Sequence, residues 1–206
     1  MPTSAAWLVF ATSAIGYLTL QERGIKGAPR GIKLGPALAM AAMVAQRWPW
    51  LSLVFFLWAL GDAFLLDKQR YFLAGLGSFL VGHVALVVLC LSTFHRGLSL
   101  EAGVIGLLLA AGLLGALWSG LRSLLRAAVP VYALGLVGMM AVLTPLGPQG
   151  ALGAGLFLLS DTLIGIQRFR RPLVHGDRWV MVTYYGALAL IGDTLLRALP
   201  LQNGAS

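Results

Sequence analysis

The chain has 206 residues, 59% hydrophobic and only 11% charged, with a mean hydropathy of +0.86. Soluble domains average roughly 45–50% apolar and about 25% charged, so too few charges are present to coat a water-exposed globule, and the chain reads as a membrane protein. The formal charge of +8 would suggest nucleic acid in a soluble protein, but the basic residues sit in short loops between apolar runs, which excludes that partner.

A bilayer core needs roughly 20 apolar residues per helix, with shorter runs tolerated inside a bundle. Eight runs approach that length: Ala5–Leu20, Leu34–Ala45, Trp50–Leu66, Phe72–Thr93, Ala102–Trp118, Ala127–Thr144, Gln149–Phe169 and Trp179–Leu199. The second is the shortest and is bounded by Lys33 and Arg47. Met1–Phe10 carries no Lys or Arg, so the basic start of a cleavable leader is missing and the first run is expected to stay. The expectation is an all-α polytopic membrane protein, one membrane-embedded domain over residues 1–206, with eight spans.

The cations test that count independently. Of the 15 Lys and Arg residues, 12 fall after runs one, three, five and seven, and only Arg47, Arg96 and Arg197 fall on the other side. Cytoplasmic loops are the basic ones, so both termini are expected outside, and a bacterial inner membrane suits the pattern. Trp7, Trp48, Trp50, Trp118 and Trp179 lie near run ends as interfacial anchors. Gly75, Ser78 and Gly82, then Gly103, Gly106, Gly112, Gly115, Gly135 and Gly138, read as stripes that let helices approach closely. The single cysteine, Cys90, allows no disulfide.

An ionisable residue at membrane depth is a functional candidate by default. Asp62, Asp161 and Asp193 fall within runs three, seven and eight, whereas Glu22, Asp67 and Asp177 read as loop residues. His83 is the one histidine at depth. In the expected topology, Lys33, Asp62, Ser78, His83, Tyr132, Asp161, Tyr184 and Tyr185 all fall in the cytoplasmic half or near mid-depth, while Asp193 lies toward the outer face. Each also has a plain structural reading: helix-to-helix ties for the aspartates, a satisfied core histidine, a snorkelling lysine, interfacial tyrosines.

Gly61-Asp62 with Leu65, the run Phe72 to His83 containing Gly75, Ser78, Phe79 and Gly82, Ser160-Asp161 with Leu163, and Tyr184-Tyr185 resemble the lysoplasmalogenase (YhhN-like) family. Lys33-Leu-Gly-Pro36 looks like its lysine-proline element, and Pro130-Val131-Tyr132 like its sixth-span element. The resemblance spans nearly the whole chain. It implies hydrolysis of the vinyl-ether bond of a lysophospholipid, the lysoplasmalogen, to a fatty aldehyde and glycerophosphocholine or glycerophosphoethanolamine, with no cofactor. Such a bond is cleaved by protonating its β-carbon, adding water to the oxocarbenium ion and collapsing the hemiacetal. Two carboxyl groups in a dry bundle suit that sequence, one holding a proton while the other stays anionic, as in glycosidases. Asp62 and Asp161 are the expected pair. His83 is expected to assist them, while Lys33, Ser78, Tyr132, Ser160, Tyr184 and Tyr185 bind substrate.

Other readings fit less well. Ser78 and His83 are five residues apart, hence about 140° apart around one helix, which is poor geometry for a serine nucleophile and its base. Leu60-Gly61-Asp62 and Ile191-Gly192-Asp193 lack the glycine-x-glycine-aspartate signature of intramembrane aspartyl proteases. Histidine and cysteine are too scarce to suggest a metal site. The rival from another class is a lipid or small-molecule transporter or binding protein that uses the same carboxylates without chemistry. Headgroup preference and oligomeric state are left open by the sequence; membrane lipids are the only other partners expected.

Overall fold

The computed structural model describes residues 3–23 and 30–198. Lys26, counted above among the loop cations, and Leu199, read as a run end, lie outside the described residues. Eight helices follow in order: α1 (Thr3–Glu22), α2 (Arg30–Ala45), α3 (Pro49–Phe64), α4 (Phe72–Phe94), α5 (Leu100–Leu117), α6 (Leu125–Leu143), α7 (Pro148–Phe169) and α8 (Gly176–Ala198). Each predicted run maps onto its own helix, with the ends of runs three, five and six passing into short 3-10 turns at Leu65–Asp67, Trp118–Gly120 and Thr144–Leu146, and no strand occurs among the described residues. Among the described residues, six helical segments are long and apolar enough to cross a membrane: Pro49–Asp67, Phe72–Phe94, Leu100–Gly120, Leu125–Leu146, Pro148–Phe169 and Gly176–Ala198. The apolar part of α2 is shorter, at Gly31–Ala45.

The chain packs mostly against its sequence neighbours: α1 on α2, α2 on α3, α3 on α4, α5 on α6 and α7 on α8. The bundle is tied together by α6, which packs on α4 and α7, and by α8, which returns to α2 and α1. The C-terminal ends of α1, α3, α5 and α7 and the start of α8 meet at one end. Lys68 bonds Asp177 there at 2.7 Å, Arg178 pairs with Glu22, and Arg170 reaches the Ser119 hydroxyl at 2.6 Å. These ends bear the basic loops of the sequence. At the opposite end Arg197 pairs with Asp193 one turn away, at 2.8 Å, so Asp193 is a local tie on α8.

The small-residue stripe of α4 faces α3. A Cβ on Gly75 would meet Leu65, Ser78 Oγ donates to the Leu57 carbonyl at 2.7 Å, and a Cβ on Gly82 would stand 2.6 Å from the Trp58 ring. Glycine at 82 therefore opens a notch for the one tryptophan that is not near a helix end, and Trp58 is fully buried. Its ring meets Phe157 at 4.9 Å between centroids, and His83 meets Phe157 at the same separation. This aromatic cluster fills the middle of the bundle. The expectation of close packing fails at Gly112 and Gly115, where nothing lies within 4 Å. They sit on α5, whose Leu100, Val104, Ile105, Leu107, Leu108 and Leu109 all point outward. An apolar face of that extent is stable only against lipid or another apolar surface.

Candidate active site

Two residues before the end of α3, the helix is still buried, and Asp62 is only 2% exposed there. A lone carboxylate in such a place is costly, and the fold supplies a cation. Because α2 begins at Arg30, four residues before the predicted run, Lys33 sits inside the bundle at 5% exposure. Its Nζ lies 3.3 Å from Asp62 Oδ1. Lys33 thus does not snorkel. Its backbone carbonyl accepts from the Tyr185 hydroxyl of α8 at 3.2 Å, which fixes α2 against α8.

Asp62 Oδ2 and the Tyr184 hydroxyl are buried beside each other, and neither has a hydrogen-bond partner elsewhere among the described residues. Both line one cavity, and they are close enough to interact electrostatically. Two polar atoms that face a shared space with no partner beyond each other are what a polar ligand or water would satisfy. Asp161 of α7 lines the same cavity and feels the charge of Asp62. It is partly exposed, in contrast to Asp62, because two spaces open onto it.

Tyr132 of α6 donates to Asp161 Oδ2 at 2.6 Å, and the Tyr132 hydroxyl lies 3.3 Å from His83 Nε2. With the tyrosine proton committed to Asp161, that contact has Nε2–H as donor. This tautomer leaves Nδ1 as an acceptor, and Nδ1 indeed has no partner. His83 is fully buried between Trp58, Phe157 and Tyr132. It does not line the cavity; its contact with Tyr132 links it to Asp161. Ser78 does not reach the cavity either, since it is tied to α3 at the Leu57 carbonyl. Ser160 does both: it lines the cavity and donates to the Val180 carbonyl of α8 at 3.2 Å.

Two spaces meet at Asp161. The first is polar, about 170 Å³, and includes Tyr17, Gln21, Lys33, Asp62, Lys68, Ser160, Asp177 and Tyr184 in its walls. The second is apolar, about 70 Å³, between α4, α5, α6 and α7, with Phe72, Leu76, Leu113, Leu136, Leu158 and Phe169 among its walls. Leu65, Phe79, Asp161 and Ile164 belong to both. Sequence reasoning did not single out four polar residues of the first space: Tyr17, Gln21, Lys68 and Asp177. Lys68 and Asp177 read as loop residues, yet Asp177 stands in the first turn of α8. Tyr17 and Gln21 carried one signal, a four-residue spacing that puts them on one face of α1.

The model of the YhhN family matches residues 5–195. A lysoplasmalogenase, TMEM86A of Bos taurus, is 31% identical over 147 residues, covering 65% of this chain and 59% of the relative. TMEM86B of Sus scrofa, also named lysoplasmalogenase, is 37% identical over 136 residues, covering 65% and 57%. The human TMEM86B lysoplasmalogenase is 39% identical over 72 residues, or 34% of this chain and 32% of the relative. The matched stretch thus spans a little under three fifths of the two longer-matching relatives. No solved structure matches. Since the family match runs from α1 to α8 and takes in the residues around both spaces, the chain belongs to the YhhN family.

Proposed function

We propose that this protein is a membrane hydrolase that cleaves the vinyl ether of a lysoplasmalogen, releasing a fatty aldehyde and a glycerophosphocholine or glycerophosphoethanolamine. The observation that carries the reading is Asp161 at the junction of a polar and an apolar space. A lysoplasmalogen has that division: a charged headgroup, one hydrocarbon tail, and the scissile bond between them. With its headgroup in the polar space and its tail entering the apolar one, the vinyl ether lies beside Asp161. The relatives' name, lysoplasmalogenase, supports this reading over a carrier that does no chemistry.

The two carboxyl groups divide the work according to their neighbours. Asp62 faces the Lys33 ammonium and is the standing anion. Asp161 has no cation partner among the described residues and offers the proton. Tyr132 holds Asp161 Oδ2, so Oδ1 is free to deliver that proton to the β-carbon of the vinyl ether. The resulting oxocarbenium ion is stabilised by Asp62. Water adds to the carbon bearing the ether oxygen and passes its proton to the Asp161 carboxylate. Collapse of the hemiacetal breaks the bond to the glycerol oxygen, which takes a proton, and the aldehyde leaves. One water is consumed. Tyr184, Ser160 and Lys33 hold substrate from the polar side; His83, Ser78 and Tyr185 keep the framework in place.

We also propose eight spans with both termini on the non-cytoplasmic side of a bacterial inner membrane, so that the basic end and the polar space face the cytoplasm. The test of function is aldehyde release from lysoplasmalogen by purified protein. A positioned acid is worth about 10²–10⁴-fold, so Asp62→Asn and Asp161→Asn should each lose most turnover while staying folded. If both variants kept more than about a tenth of wild-type turnover, the pair would not be the acid and base.

A further inference from the structure

The polar space continues from Asp62 and Asp161 toward the basic end of the bundle, where three groups gather that the hydrolysis does not use. Gln21 lines it with a side-chain oxygen, Oε1, that is buried and has no hydrogen-bond partner. Tyr17, one turn earlier on α1, lines it too and interacts electrostatically with Asp177 and Asp62. Asp177, in the first turn of α8, completes the group and is bonded to Lys68 at 2.7 Å. The neighbouring Arg178 and Glu22 are paired with each other.

An orphaned carbonyl oxygen and a carboxylate lining one cavity accept hydrogen bonds, and a primary ammonium supplies up to three N–H groups. A quaternary ammonium supplies none. Its usual host is a cage of aromatic faces, and here Tyr17 is the one ring beside Gln21 on α1. Of the other aromatic walls, Phe79 is shared with the apolar space and Tyr184 faces Asp62. We propose that Tyr17, Gln21 and Asp177 form the subsite for the headgroup ammonium, and that it selects ethanolamine over choline. In the bound state Lys68 leaves Asp177 for the headgroup phosphate while Asp177 and Gln21 Oε1 take the ammonium. The exchange conserves charge: one intramolecular ion pair opens and two intermolecular ones form. The opening costs little, since Lys68 and Asp177 both reach solvent, with side chains 43% and 61% exposed.

This inference takes its lipid from the vinyl-ether reading, but the subsite is tested without cleavage. The probes are 1-O-alkyl lysophospholipids, which lack the vinyl double bond, with an ethanolamine or a choline headgroup. Their affinities are measured by calorimetry on detergent-purified protein. Wild type is expected to bind the ethanolamine lipid about tenfold more tightly, the value of one or two charge-assisted hydrogen bonds. Gln21→Leu and Asp177→Asn should bring the two headgroups within about threefold by weakening ethanolamine alone. Lys68→Met should weaken both alike, because the phosphate is common to both. Equal binding of the two lipids by wild type, or a preference that survives both Gln21→Leu and Asp177→Asn, overturns the subsite. Selective binding without aldehyde release from the vinyl-ether lipids would leave the subsite standing and remove the hydrolase reading instead.

Discussion

Lys33→Met is the perturbation that most directly tests how the site is held. Methionine keeps much of the apolar stem and removes the ammonium, so Asp62 is left at 2% exposure without its 3.3 Å partner. Breaking a buried pair from one side costs about 3–5 kcal/mol, because the remaining charge is uncompensated. Asp62 Oδ2 already lacks a hydrogen bond, so the framework has no spare donor to offer beyond the nearby Tyr184 hydroxyl. Uptake of a proton by the orphaned carboxyl limits the loss, which places the expectation near the low end, about 3 kcal/mol. Reversible unfolding in mixed micelles measures it. The companion variant Lys33→Met/Asp62→Leu removes both charges, and it should recover about 2 kcal/mol or more of that loss. The double variant should be inactive although folded. A single variant that lost less than about 1 kcal/mol, or a double variant no more stable than the single, would refute the view that Lys33 is retained in the bundle to neutralise Asp62.

Two further predictions test other parts of the arrangement. Tyr132→Phe keeps the ring but removes the 2.6 Å donor to Asp161 and the acceptor for His83, so kcat should fall about 10–100-fold with KM little changed, measured by steady-state aldehyde release. Gly82→Val would drive a Cβ into the Trp58 ring, 2.6 Å away, and should lower stability by about 1–3 kcal/mol in thermal unfolding. Gly112→Ala, where nothing lies within 4 Å, should cost nothing in the same assay.

The eight helices were legible because a run of apolar residues is a property of the chain taken one residue at a time. In lipid a backbone must bond to itself, so a long apolar run has few choices other than helix. The grouping of the basic loops at one end was legible for a related reason: successive helices joined by short loops alternate direction. Depth followed from the same count, which is why Asp62, Asp161 and Tyr184 could be expected at one level; the structure has all three lining one cavity.

The direction in which each side chain points was not legible. Adjacent residues on a helix differ by about 100° in bearing, so the partner of a side chain depends on how far each helix is rotated against its neighbours. That rotation is decided by packing. It turns Ser78 toward α3 and His83 toward α6, and brings the Lys33 ammonium to Asp62. It sets Gly112 and Gly115 against open space, and it places Gln21 and Asp177, from opposite ends of the chain, on one cavity wall. What the residues by themselves determined is the set of helices and the level of each polar group along them. Which polar groups touch was decided only when notches such as Gly82 and bulky wedges such as Trp58 fitted together, because close packing admits few rotations and spacing along the chain does not say which.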